Sequence, residues 1–252
     1  VSETHSKGIK KGLVTNKEEL MVVLKESLKK CEDVLGLKIT KVAITVPSFE
    51  AEFMVSEGAT TITYEDHVIR GIDIVRAMQA SIYNQVPSGL EIVSIVPTSF
   101  RINNDEQVRN PLNMTANKLM VKTVVSMIPK KNVDAIIQCF DRLGIAVIDI
   151  SMTSMGDYYA VKSSKIEDDT GAIINIGDET TTVSIFNKGV LTNTFVLEIG
   201  GQNIDNDISF IYKVTKHDAR SLKENLGLAH KRMASASVSQ LVTNKLGERI
   251  SI

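Results

Sequence analysis

The run from Gly171 to Gly201, GAIINIGDETTTVSIFNKGVLTNTFVLEIGG, constrains the fold more than any other part of the chain. Ala172 to Ile176 is an apolar strand, Gly177-Asp178-Glu179-Thr180 a turn, and Thr181 to Phe186 alternates back out as a second strand. Asn187-Lys188-Gly189 is a turn that reverses the chain again. The third strand, Val190 to Leu197, ends on Gly200-Gly201 at the start of a helix.

The first turn has the chemistry of a phosphate cradle. Handing several backbone N–H groups to phosphate oxygens needs a glycine where the backbone approaches closely, and small hydroxyl residues that donate without bulk. Gly177, Thr180 and Thr181 meet that need. An aspartate commonly opens such a turn and holds the water shell of Mg²⁺; here Asn175 stands in that place without the charge a hard dication prefers, which argues against metal-assisted hydrolysis. An ordinary β-hairpin with a polar turn is the competing reading, and the Gly-Gly pair ending the third strand favours the phosphate site.

Composition narrows the class. With 252 residues, 43% of them hydrophobic, the chain can bury a sizeable core, and its length suggests two subdomains. A net charge of −1 leaves no electrostatic footprint for nucleic acid. Cys31 and Cys139 fall on apolar faces of expected helices and read as buried free thiols rather than a disulfide or a nucleophile. No apolar run approaches the roughly 20 residues that span a bilayer. His5, His67, His217 and His230 are scattered without metal-ligand spacing, and Glu167-Asp168-Asp169 reads as a solvated loop. The chain starts at Val1 without an initiator methionine and stops at Ile252 in mid-pattern, as expected of an internal stretch of a longer protein.

Helix and strand alternate along the rest. Asn16 and Glu19 form a capping box for a core helix with Leu20, Val23, Leu24, Leu28, Cys31 and Leu35 inward and Gly36 as its stop. Lys41 to Val46 is a strand, followed by a polar, weakly strand-like stretch to Thr61. Thr63 with Asp66 caps a second helix, on which Val68, Ile72, Val75 and Met78 recur at helical spacing. Glu91 to Val96 is a strand ended by Pro97, Arg101 to Asn117 a loop, and Leu119 to Val125 another strand. Lys131 to Leu143 is a helix with Val133, Ile136, Ile137 and Phe140 inward and Gly144 as its stop, leading into a buried strand, Ile145 to Ile150. Asp218 to Leu226 is a further helix, and Asn244 to Glu248 lies in a hairpin. The alternation argues an α/β fold with a small inserted module.

The order of three strands and a helix resembles the opening of each half of an actin/Hsp70/sugar-kinase ATPase domain. Nearly the whole chain resembles FtsA, the bacterial actin-like division family. Ser6-Lys7-Gly8-Ile9-Lys10-Lys11-Gly12 is similar to the family's SxGIKxG segment. Ile95 to Phe100, Asn110 to Met114 and Leu119 to Lys122 resemble its IPxxY, DPLGM and LEVxVH elements, which lie in the inserted subdomain 1C. PilM of the type IV pilus machinery has a similar inserted module.

The resemblance implies an actin-like (RNase H-like) fold lacking both ends: 1–39 as part of subdomain 1A, 40–128 as 1C, 129–165 as the rest of 1A, 166–213 as 2A and 214–252 as part of 2B. It implies an ATP site in which the family's DIGGGTT turn falls on Asn175 to Thr181. Gly177, Asp178, Glu179, Thr180 and Thr181 would meet the phosphates, and Gly200-Gly201 would match the VGG turn beside the ribose, where the next helix's N-terminus favours an anion. Lys223 keeps the lysine of the AExIK pattern near the sugar, and Arg220 stands where that pattern has Glu. Magnesium with the ATP is weakened by Asn175. The implied activity is structural, with ATP hydrolysis slow or absent: self-association into filaments and tethering of FtsZ, through its C-terminal peptide, to the cytoplasmic face of the cell membrane at the division site. The membrane helix would lie outside these residues. A PilM-like platform and an ATP-hydrolysing member of the superfamily are the alternatives.

Overall fold

The computed structural model describes residues 3–103, 106–163, 167–228, 230–233 and 239–252. Two compact units divide the chain: Val1–Ile174 with Thr182–Val196, and Asn175–Thr181 with Leu197–Ile252. Residues 164–166, at the expected boundary between 1A and 2A, and 234–238, in the expected start of 2B, lie outside the described residues.

The first unit opens with a short hairpin, β1 (Ile9–Lys10) and β2 (Leu13–Val14), that feeds α1 (Lys17–Leu35). Asn16 caps α1 by accepting the N–H groups of Glu18 and Glu19 at 3.1 and 3.3 Å, and Gly36, at φ 66°, ends it. An Asn16→Ala variant should lose about 1 kcal/mol of stability, read from the urea midpoint at unchanged slope. The expected core helix is instead a surface one. Leu20 is buried, Val23, Leu24, Leu28 and Cys31 are half-buried, and Leu35 is exposed, because α3 (Lys130–Arg142) meets α1 at its start, where Lys17 and Glu18 reach Gln138 and Arg142. Cys31 is therefore not the buried thiol expected, whereas Cys139 is: its S–H donates to the Ala135 carbonyl and burial pushes its pKa up, which keeps it protonated and inert.

β3 (Lys41–Val46) pairs in parallel with β8 (Ala146–Met152), and α3 leads into β8. Val133 and Phe140 of α3 are buried as expected, but Ile148 in the strand expected to be buried is exposed. α4 (Thr153–Val161) follows without a side-chain cap at Met152, which is why no start signal marked it in the sequence.

Between β3 and α3 lies a four-stranded antiparallel sheet, order β4-β7-β5-β6, built from β4 (Glu52–Thr61), β5 (Leu90–Ile102), β6 (Glu106–Val108) and β7 (Lys118–Pro129). Pro97 does not end its strand. β5 runs on through it, with a register shift against β7 between Pro97 and Ser99 that accommodates the missing N–H. The expected loop from Arg101 to Asn117 holds the end of β5 and all of β6.

α2 (Gly71–Ile82) lies on this sheet and differs from expectation at its start and on its face. Asp66 accepts the Val68 N–H and pairs with Arg70, while Asp73 takes the capping role by accepting the Arg70 N–H at 2.9 Å. Ile72 and Val75 point outward, and Asp73, Ala77 and Ser81 are buried. Gly58 of β4 explains the swap: a side chain there would strike the backbone of Ala77 and Ser81, so the helix sits close enough that small residues face the sheet. Ser81 Oγ then lies 3.0 Å from Thr123 Oγ1 across the seam, and Ser56 Oγ donates to the Ser81 carbonyl.

β9 (Thr170–Ile176), β10 (Thr181–Asn187) and β11 (Val190–Leu197) form the three-stranded sheet read from the sequence, in the order β11-β10-β9. Lys188 and Gly189 make the second turn at φ 49° and 75°. Phe186 and Leu191 join Val46, Ile128, Val133, Met152 and Tyr158 in one core, whereas Ile174 of the edge strand β9 is exposed.

The second unit holds the first turn, α5 (Gly201–Tyr212), α6 (Lys216–Leu226) and a hairpin of β12 (Leu241–Thr243) and β13 (Arg249–Ser251). Its core is Val214, Ala219, Leu222 and Val242, with Ile208, Leu226 and Ile250 packed against it. Thr215 caps α6, which starts at Lys216, two residues before the expected start at Asp218. Asn244 shapes the hairpin turn by accepting the N–H groups of Leu246 and Glu248, both at 2.9 Å. Among the described residues no helix is long and apolar enough to cross a membrane.

Candidate phosphate-binding turn

Asn175 and Ile176 end β9, and Gly177 closes the turn by donating its N–H to the Thr180 carbonyl at 2.8 Å. The turn is fastened to the start of α5. Gly201 N–H donates to the Gly177 carbonyl at 2.9 Å and Gln202 N–H to the Asp178 carbonyl at 2.8 Å. Gly200 makes this approach possible, because a Cβ there would strike those same two carbonyls. Its own N–H donates to Asn203 Oδ1 at 2.9 Å. The helix N-terminus expected to favour an anion thus has its Gly201 and Gln202 donors engaged by the turn itself.

The two threonines differ. Thr181 donates its hydroxyl proton to the Ile199 carbonyl at 2.7 Å and keeps only acceptor capacity. The Thr180 hydroxyl carries no hydrogen bond among the described residues and is the better donor for a phosphate oxygen.

Two cations on α6 border the turn. Lys223 Nζ sits 2.7 Å from Asp205 Oδ1 and donates to the Gly201 carbonyl at 3.1 Å; Asp205 is buried and Lys223 mostly so. Lys223 therefore ties α6 to the first turn of α5. Arg220 Nη2 lies 2.7 Å from Asp178 Oδ1, with Glu224 at 3.5 Å and Asp205 at 3.9 Å from its Nε. The structure thus gathers Asn175, Gly177, Asp178, Glu179, Thr180, Thr181, Gly200, Gly201 and Lys223 into one unit and adds Arg220. Arg220 could have been found from the sequence by reading two exchanges together, acid for glycine in the turn and arginine for glutamate on the helix.

Among the described residues no group of three or more His, Cys, Asp or Glu side chains is placed to hold a metal. Glu167, the first of the three consecutive acids, pairs with Lys162 at 2.6 Å.

The fold and its turn define an actin-like α/β protein carrying an inserted module. The profile of the family described as "Cell division protein FtsA" matches residues 172–251, which contain the turn, and that of the "SHS2 domain inserted in FTSA" matches 51–127, which contain the four-stranded sheet. The chain belongs to the FtsA family. It is 27% identical over 235 residues to "Cell division protein FtsA" of Bacillus subtilis (strain 168), covering 93% of this chain and 53% of that protein. It is 24% identical over 244 residues to the protein of the same name from Borreliella burgdorferi, covering 97% of this chain and 59% of that one. The chain thus spans little more than half the length of these relatives. A solved "PilM-PilN type IV pilus biogenesis complex" shares the fold at a TM-score of 0.51 and 13% identity, over 88% of this chain and 60% of the other.

Proposed function

We propose that the whole protein is an ATP-binding cell-division protein that assembles with copies of itself and tethers FtsZ filaments to the cytoplasmic face of the cell membrane at the division site. The presence of both family-specific modules in one chain, the inserted sheet and the turn-bearing unit, carries this reading. The division of residues 1–39, 40–128, 129–165, 166–213 and 214–252 among subdomains 1A, 1C, 1A, 2A and 2B belongs to the same proposal.

The turn suits a phosphate in part. It is fixed by backbone bonds before a ligand arrives and offers the Thr180 hydroxyl, while Asp178 adds a negative charge that Arg220 balances. A magnesium ion would come with the phosphates, since Asn175 supplies no carboxylate. ATP then acts as an assembly ligand that shifts populations without turnover.

Co-sedimentation of FtsZ with liposomes tests the reading, using the full-length protein with and without ATP and with and without its C-terminal segment. FtsZ should reach the membrane only when that segment is present. FtsZ remaining in solution under every condition would remove the division role and turn attention to pilus-type membrane peptides, the partner class that the likeness to the PilM fold brings next.

A further inference from the structure

Resting on the nucleotide reading, we propose that Arg220 is a phosphate-binding residue of this site and that the Asp178 carboxylate occupies its guanidinium until a nucleotide arrives. Among the described residues two cations of α6 border the turn, and of these Arg220 is the one available. Lys223 is clasped between buried Asp205 at 2.7 Å and the Gly201 carbonyl at 3.1 Å, so withdrawing it would leave a buried carboxylate without its cation. Arg220 is half exposed, as is Asp178, and an exposed ion pair exchanges partners at little cost. Asp205 and Glu224, 3.9 and 3.5 Å from Arg220 Nε, keep the side chain beside the turn while its Nη2 end reaches Asp178.

The charge balance points the same way. Asp178, Asp205 and Glu224 face Arg220 and Lys223, so a polyphosphate approaching the turn meets more carboxylates than cations. Transfer of Arg220 from Asp178 to the ligand places a planar, two-pronged donor on the phosphate oxygens, a geometry lysine cannot reproduce. Arg220 and the acid at 178 form one device, and the acid sets how tightly the nucleotide binds.

The test is calorimetric titration of ATP with Mg²⁺ into the full-length protein and its variants. Arg220→Gln should weaken binding about tenfold or more, and Asp178→Asn, which frees Arg220 and removes a charge, should tighten it several-fold. The double variant should recover part of the loss in Arg220→Gln, because the charge at 178 is gone, but it should not show the gain over wild type seen in Asp178→Asn. Arg220→Lys should fall between, and it keeps the question answerable if Arg220→Gln folds poorly. A purely structural ion pair would weaken binding in both single variants; that result, or no change in Asp178→Asn, would overturn the proposal while leaving nucleotide binding intact. Absence of binding by every form, wild type included, would overturn the nucleotide reading and the proposal together.

Discussion

Phe186→Ala should cost about 3–5 kcal/mol, a large fraction of the stability of a domain. Phe186 is 1% exposed near the end of the central strand of the three-stranded sheet, and its ring stacks on Tyr158 with centroids 4.6 Å apart. Truncation removes the apolar burial and the stacking together, and it opens a void among residues drawn from distant parts of the chain, Val46, Ile128, Met152 and Leu191, none of which can follow the missing ring. Urea denaturation of the variant should show a lower midpoint at unchanged slope, and Phe186→Leu, which keeps most of the volume, should recover much of the loss. A cost under about 1 kcal/mol for the alanine would mean that this core is not organised around the ring.

Gly200→Val is expected to abolish measurable nucleotide binding and to destabilise the second unit by about 3 kcal/mol. The added carbons would lie on the Gly177 and Asp178 carbonyls, so the turn must leave the start of α5 and lose the bonds from Gly201 and Gln202. Amide hydrogen exchange would show this as lost protection that is largest at those two residues. Gly171→Ala is the matched control, because a Cβ there meets nothing within 4 Å. Binding retained in the valine variant would show that the turn holds its ligand without support from α5.

Where a signal is local, the sequence carries it. Asn16 and Gly36 bound α1 because a side-chain acceptor and a left-handed glycine act within one turn of the helix. Gly189 in the Asn187-Lys188-Gly189 reversal takes the left-handed backbone that glycine accepts, and the strands on either side alternate as their residues indicate, although Lys188 takes a left-handed position that its own type does not favour. The misreadings share a different origin. The buried face of α2 depends on Gly58, in a strand that precedes the helix, and no periodicity within α2 reports how closely that strand approaches. Pro97 reads as a strand end until the partner β7 supplies a bulge. In the site, the turn was legible from Gly177 to Thr181, but the division of labour between Arg220 and Lys223 was not. Asp178 lies 42 positions from Arg220, and only the packing of α6 against α5 decides which cation meets the turn and which is locked to Asp205.

The seam between the turn and α5 is mechanical as well as chemical. Carbonyls of Gly177 and Asp178 are bonded to successive N–H groups at the head of a twelve-residue helix, so a displacement of the turn is carried as a stroke along a rod about 18 Å long. Lys213, at the far end, receives the Lys245 N–H at 2.8 Å, and that residue belongs to the turn of the β12–β13 hairpin. The turn at one end of α5 and the hairpin at the other are therefore joined through a single helix and the residue that ends it.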